Sequence, residues 1–207
     1  MKKYIFLLIL IIVTSCNAQN KSHMTPEIDN KAEKFDSFRY KNRPNINSHA
    51  LIEKKLNGDY IEMIESKSSK SYVETSKNSY YRITKIYYPN GNIKMKGLSA
   101  NTGRFQKGIW YEFDEQGNLF KEIDYDKPFK FTFEDILKFC EKQNIKIEKG
   151  PILQGIGWHN EISRNIENGH PIWKIEHLKK INLVEIIKLD GITGEVLGTE
   201  TYDYINN

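Results

Sequence analysis

Two cysteines, five histidines and a dense set of aromatic residues are the side chains of this sequence that could do chemistry. Cys16 and Cys140 could form one disulfide if both are retained, and either could act as a nucleophile if a base activated its thiol. His159 precedes Glu161 by two residues, which on a strand puts imidazole and carboxylate on one face. His170 and His177 stand seven apart and so fall on opposite faces of a strand. A zinc site needs three or four ligands at close geometry. His159, Glu161 and His170 could make one, with the hydrolytic activity such a site can support, only if folding gathered them. No metal site, catalytic residue or cofactor is assigned on this spacing. No serine lies in a Gly-x-Ser-x-Gly context, so the strained elbow of that hydrolase class is missing.

The setting of each cysteine separates their roles. Lys2 and Lys3 precede the apolar run Tyr4 to Val13, and Thr14, Ser15 and Cys16 follow. Ten apolar residues as a helix span about 15 Å, half of a bilayer core of about 30 Å. Charge, apolar length and small residues have the order of an export signal. At Val13-Thr14-Ser15-Cys16 the segment resembles a bacterial lipoprotein signal peptide with its lipobox. That resemblance implies cleavage before Cys16, a diacylglycerol thioether on its sulfur and an acylated new N-terminus. Two or three acyl chains anchor a protein stably, at about 0.8 kcal/mol per buried methylene. Cys140 is then left without an intrachain partner. It shares the spacing i, i+3, i+4, i+7 with Phe133, Ile136 and Leu137, so it reads as a small apolar residue on a helix's buried stripe. Thr132 is the N-cap of that helix, and Asp135 stands where a capping box prefers Glu.

Composition limits the function classes. The chain has 207 residues, 39% hydrophobic and 28% charged, with a net charge of +4 that falls to +2 without Lys2 and Lys3. Acidic and basic residues alternate, so the clustered basic face of a nucleic-acid binder is missing. The expected partners are the membrane, through the lipid on Cys16, and another envelope protein. No acidic cluster of the kind used for surface display follows Cys16, which favours an outer-membrane anchor facing the periplasm.

Residues 1–15 form the expected signal peptide and residues 16–50 a lipidated flexible tether. The tether region is rich in Asn, Lys and Ser and poor in apolar residues, with a short amphipathic piece at Ala32 to Phe38. Residues 51–128 read as β-hairpins. Gly58 to Ser66 alternates as a strand. Two β-rich runs flank Pro89-Asn90-Gly91-Asn92, where Asn-Gly tolerates positive φ. A second pair flanks Glu115-Gln116-Gly117-Asn118, offset by 26 residues. Tyr87, Tyr88, Pro89, Asn90, Gly91, Ile93, Gly97, Gly108, Trp110, Phe113, Asp114, Gly117 and Leu119 carry a resemblance to the bacterial variant of the MORN repeat. Some members of that family bear an antitoxin label, so the resemblance implies a non-catalytic module of inhibitory or immunity-like role. Adjacent tyrosines on a strand point to opposite faces. One of each pair is therefore core, and Tyr81, Tyr88, Trp110 and Tyr111 are the candidate partner-binding residues. If those aromatics stack on sugars instead, the module binds glycans.

Residues 129–207 give one helix and then four strands, near Gly157 to Ile166, Pro171 to Lys179, Leu183 to Leu189 and Glu195 to Tyr204. Asp190 and Thr193-Gly194-Glu195-Val196 within the last hairpin resemble a PepSY-like domain, which implies an envelope-associated, non-catalytic fold. The expected class is α+β: antiparallel β-hairpin repeats followed by a one-helix antiparallel meander.

Overall fold

The computed structural model describes residues 25–44, 48–103, 105–152 and 157–204, so the expected signal peptide and Cys16 lie outside the described residues. Strands β1 (Ala50–Lys54), β2 (Tyr60–Glu65), β3 (Lys70–Thr75), β4 (Tyr81–Tyr87), β5 (Ile93–Ala100), β6 (Gln106–Phe113) and β7 (Leu119–Asp124) form one seven-stranded antiparallel sheet, paired in chain order. Strands β8 (Glu161–Glu167), β9 (His170–Lys180), β10 (Leu183–Asp190) and β11 (Val196–Asp203) form a second, four-stranded meander. Helix is confined, among the described residues, to α1 (Ser37–Lys41) and α2 (Phe133–Lys142). The fold is therefore mostly β, with less helix than the α+β expectation implied. Among the described residues no helix is long and apolar enough to cross a membrane.

The turns show why these strands pair. Tyr88 N donates to Asn92 O at 2.9 Å and Gly91 N to Tyr88 O at 2.9 Å; Asp114 N donates to Asn118 O and Gly117 N to Asp114 O, both at 3.0 Å. The register shifts that follow the same plan, between Ile86 and Tyr87 and between Glu112 and Phe113, repeat at the same offset as the turns. A third copy joins β1 to β2. Lys55 N donates to Asp59 O at 2.8 Å and Gly58 N to Lys55 O at 2.9 Å. Gly58, Gly91 and Gly117 have φ of 87°, 89° and 90°, a region where a Cβ is strained. The hairpin repeat thus has three turns of one design, one more than the sequence spacing revealed.

One face of the large sheet is covered at both ends of its strands, while β7 stays exposed. At one end Tyr81, Ala100 and Phe105 share a core with Phe133, Ile136 and Cys140 of α2 and with Ile162, Trp173, Ile175, Ile187 and Leu189 of the second sheet. The expected boundary near residue 128 thus runs through a single core. Helix α2 starts as the sequence implied, with Thr132 capping and the Asp135 side chain returning the bond. Arg164 of β8 ties the layers together. Its guanidinium donates to Gln106 O and to Asp126 Oδ1 (2.7 Å), and it lies 4.5 Å from the centre of the Phe129 ring.

At the other end, the segment expected to be a flexible tether is partly built into the fold. Phe35 and Tyr40 are each 5% exposed and pack with Leu51, Ile61, Met63, Tyr87, Ile93 and Phe113. The backbone joins the sheet through Phe35 N to Gly91 O (2.8 Å) and Ile93 N to Glu33 O (3.0 Å). Lys96, 3% exposed, donates to Asp29 Oδ1 (2.6 Å) and Lys31 O (2.7 Å). Two aromatic side chains supply the burial that the segment's polar composition otherwise lacks.

Candidate functional site

The aromatic candidates separate into two groups. Tyr81 is a core residue, 5% exposed, with its hydroxyl 3.4 Å from Glu134 Oε1. Burial raises its phenol well above the ordinary value. Trp110 is 3% exposed; its indole donates to Leu98 O at 2.9 Å and covers Gly97, where a Cβ would overlap the ring. These two expectations are corrected. Strand β4 starts at Tyr81 and turns that residue, not its neighbour, towards the covered face. Tyr88 and Tyr111 are half-buried. Tyr88 donates to Phe113 O at 2.9 Å, docking one repeat turn on the next. Tyr111 packs beside the second core.

The histidines do not converge. His159 Nδ1 lies 2.5 Å from Glu148 Oε2, and His177 Nε2 lies 3.0 Å from Glu185 Oε2. His159 and Glu161 do border one cleft, with Glu176 and Tyr204, but His170 is not among its lining residues. Among the described residues no three His, Cys, Asp or Glu side chains are placed to share a metal ion. Cys140 is 1% exposed, and burial pushes its thiol up to about 12, so it stays protonated at neutral pH.

The remaining candidate is the second face of the seven-stranded sheet. Register alone defines it. Opposite the covered positions stand Ile52 on β1, Tyr60, Glu62 and Ile64 on β2, Ser71, Val73 and Thr75 on β3, Arg82, Thr84 and Ile86 on β4, and Met95 and Ser99 on β5. Every residue that the strands of this sheet contribute to the two cores belongs to the covered side. Ile52 is 55% and Ile64 37% exposed, and Val73, Ile86 and Met95 are partly exposed. A mixture of β-branched and short polar side chains gives this face strand propensity without a continuous apolar sheet.

One end of this open face is concave. A cleft of about 490 Å³ is bordered by Ile52, Tyr60, Val73, Arg82, Asn101 and Ile152, with Glu62, Thr75 and Pro151. The β3–β4 register sets Thr75 beside Arg82, and the β4–β5 register sets Ser99 on its other side. Asn101 N donates to Tyr80 O, just beyond the strands, and places Asn101 diagonal to Arg82. Arg82 Nε and Asn101 Oδ1 are both buried and both lack a hydrogen-bond partner. Sequence reading passed over these two residues. Only the register brings positions 82 and 101 together, and no spacing motif announces it. Comparison with protein-family models, with curated proteins and with solved structures finds no match for this chain.

Proposed function

We propose that this chain is a lipid-anchored protein of the bacterial cell envelope whose body binds another envelope protein and performs no catalysis. In this reading Cys16 carries the lipid, the outer membrane holds it, and the body faces the periplasm. The resemblances to MORN-variant and PepSY-like sequences favour an inhibitory or immunity-like role. The open face of the seven-stranded sheet carries the proposal: its partly exposed Ile52, Ile64, Val73, Ile86 and Met95 share one face, Ile86 opposite Met95 and the others beside polar residues. Seven strands spaced ~4.8 Å apart make a face roughly 30 Å wide, and six residues at ~3.3 Å make it about 20 Å long. That area approaches the ~800 Å² per partner of a standard interface.

The N-terminal segment packed on the sheet, a strap of residues 29–44, supports the same arrangement. If Cys16 is the anchor, only residues 17–28 separate it from Asp29, the first residue seen paired to the sheet's buried lysine. Twelve extended residues reach at most about 40 Å. The body is then held near the bilayer surface, not on a 34-residue leash. The test is crosslinking capture with the full chain in native membranes, comparing the wild type with Ile64→Glu. Capture of one stoichiometric envelope protein that the charge substitution abolishes is the expected result. Equal capture by both proteins sinks the assignment of the face. Mass spectrometry that finds Cys16 as an unmodified thiol removes the anchor.

A further inference from the structure

We propose that the cleft at the concave end of the open face receives the C-terminal carboxylate of a peptide, with Arg82 taking the carboxylate and Asn101 the last amide N–H. It deepens the protein-binding reading and rests on it only in assigning a peptide instead of a free acid.

The argument starts from two unsatisfied atoms. A buried donor or acceptor left unpaired costs about 1–3 kcal/mol, and more when the group is charged. Arg82 Nε and Asn101 Oδ1 are such atoms, and they border one cleft. Other arginines of the fold are matched: Arg39 grips Glu53 (2.5 Å) and Arg164 grips Asp126 (2.7 Å). Arg82 makes no ion pair among the described residues. Its neighbour across β3 is Thr75, which brings no charge. A guanidinium in a cleft that forms no ion pair, even with Glu62 on the same rim, is a receptor for a planar anion.

Asn101 narrows the ligand further. Its Nδ2 donates to Ser79 O at 2.7 Å, which orients the amide and leaves Oδ1 as the acceptor that needs a donor. A ligand that satisfies both residues carries an acceptor anion next to an N–H or O–H. Sulfate offers no donor, and the hydrogen phosphate dianion brings its O–H only together with a second negative charge. A peptide's last residue offers both, its carboxylate and its own amide N–H, one Cα apart. Glu62 borders the same cleft and disfavours a second negative charge on the ligand, which argues against polyanions. Ile52, Val73 and Ile152 line the space beside the two polar residues and suit a small apolar side chain. The volume of about 490 Å³ far exceeds the ~30 Å³ of one water, so a single bridging water does not fill it.

The test uses the full chain in detergent, labelled with ¹⁵N, and reads the side-chain Nε–H resonance of Arg82 and, for the Arg82 variant, the side-chain Nδ2–H resonances of Asn101. The Arg82 resonance is assigned by its loss in Arg82→Lys. The probes are N-acetyl-alanine, which has carboxylate and amide, and N-acetyl-alaninamide, which lacks the charge. A saturable shift with Kd of ~1–10 mM is expected for so small an acid. The amide should bind at least about tenfold more weakly, and so should the acid to Arg82→Gln. Asn101→Ala should weaken the acid by a smaller factor, roughly three- to fivefold. Equal shifts from acid and amide, no shift from either, or unchanged affinity in a folded Arg82→Gln overturns the site. Crosslinking capture separates this from the broader reading. A partner captured equally by wild type and Arg82→Gln overturns the peptide assignment while protein binding stands. Acid binding with no captured partner overturns the peptide assignment in favour of a free carboxylic acid.

Discussion

The same seven strands make two faces, and the faces carry opposite kinds of surface. On the covered side Leu51, Ile61, Met63, Ile93 and Phe113 are each at most 2% exposed, and Lys96 is buried against Asp29 and a backbone carbonyl. On the other side Ile52 and Ile64 stand among Glu62, Ser71, Thr84 and Ser99 at adjacent register positions. Strand-forming ability is similar on both, because β-branched and aromatic residues occur on each. What differs is continuity. The covered face gathers its large side chains into two buried clusters, which need a permanent lid. The open face sets its apolar residues mostly beside polar ones, with Ile86 against Met95 the exception, a surface that tolerates water and can still be covered by a partner. The sheet is thus stabilised mainly from one side, with Trp110 packed over Gly97 on the other, and the other side is available over β1 to β4.

The sharpest way to break this asymmetry is to remove the joint that holds the covered face closed. Arg164→Ala deletes the charge that meets Asp126 and the Gln106 carbonyl between the layers. Breaking a buried pair by deleting one partner costs about 3–5 kcal/mol, because the other group stays buried. Lys107 also touches Asp126, at 2.8 Å, so some compensation remains. Urea unfolding monitored by Trp fluorescence should show that loss in one transition. Separate transitions for the two sheets would contradict a shared core. The strap comes next. Phe35→Ala should cost about 3 kcal/mol, since the ring is 5% exposed and sits 5.4 Å from that of Tyr87. Limited proteolysis should then cut within residues 29–44 of the variant before any cut in the strands. Protection equal to the wild type would mean that the strap is held by its backbone bonds to Gly91 and Ile93 and by the pairs Lys96–Asp29 and Lys85–Glu33 (2.8 Å).

These elements were unequally legible in the sequence. Helix α2 carries its own signals, a capping threonine and an i, i+3, i+4, i+7 stripe, so it was readable from a dozen residues. The hairpins at Gly91 and Gly117 were readable because positive φ demands glycine or asparagine locally. The turn at Gly58 has the same hydrogen bonds but follows Lys-Leu-Asn, without the tyrosines and the proline that mark the turn at Gly91. Strand β3, Lys-Ser-Tyr-Val-Glu-Thr, has five half-buried positions followed by the buried Thr75, and no clear alternation to find. The strap was invisible for a different reason. Phe35 and Tyr40 look like isolated aromatics in a polar segment until Tyr87, Ile93 and Phe113 arrive from more than fifty residues away. Tyr81 was assigned to the wrong face because the first residue of β4 could not be fixed within a Tyr-Tyr pair. Arg82 and Asn101 meet only through the β4–β5 register, which bulges between Ile86 and Tyr87. Local rules specify turns and caps; register is a property of the assembled sheet.

A pH titration sharpens the comparison from the covered side. Burial raises the Asp126 carboxyl, but hydrogen bonds from Lys107 and Arg164 outweigh it and leave it below the ordinary value. A carboxyl whose pKa is depressed by folding contributes stability above its unfolded value, about 3.9, and loses it as the pH falls through the folded value. Wild-type stability should therefore decline below about pH 4, where Asp126 takes up its proton. The urea midpoint of Asp126→Asn should fall less steeply over that range. An identical slope in both proteins would show that the buried joint is not electrostatic in origin.

The smallest expected effect on stability is the most informative about function. Ile52→Ser with Ile64→Ser changes two residues of the open face that are 55% and 37% exposed. Exposed substitutions away from caps and cores usually move stability by no more than about 0.5 kcal/mol. The double variant should therefore unfold at nearly the wild-type urea concentration while capturing far less partner in membranes. Phe35→Ala should give the reverse, a clear loss of stability with capture retained wherever the protein stays folded. If the double serine variant instead unfolds early, those isoleucines are structural and the two faces are not functionally distinct. If it is stable and captures partner as well as the wild type, the contact lies elsewhere, and the exposed edge strand β11, with Val196, Leu197 and Tyr202 open to solvent, becomes the surface to mutate.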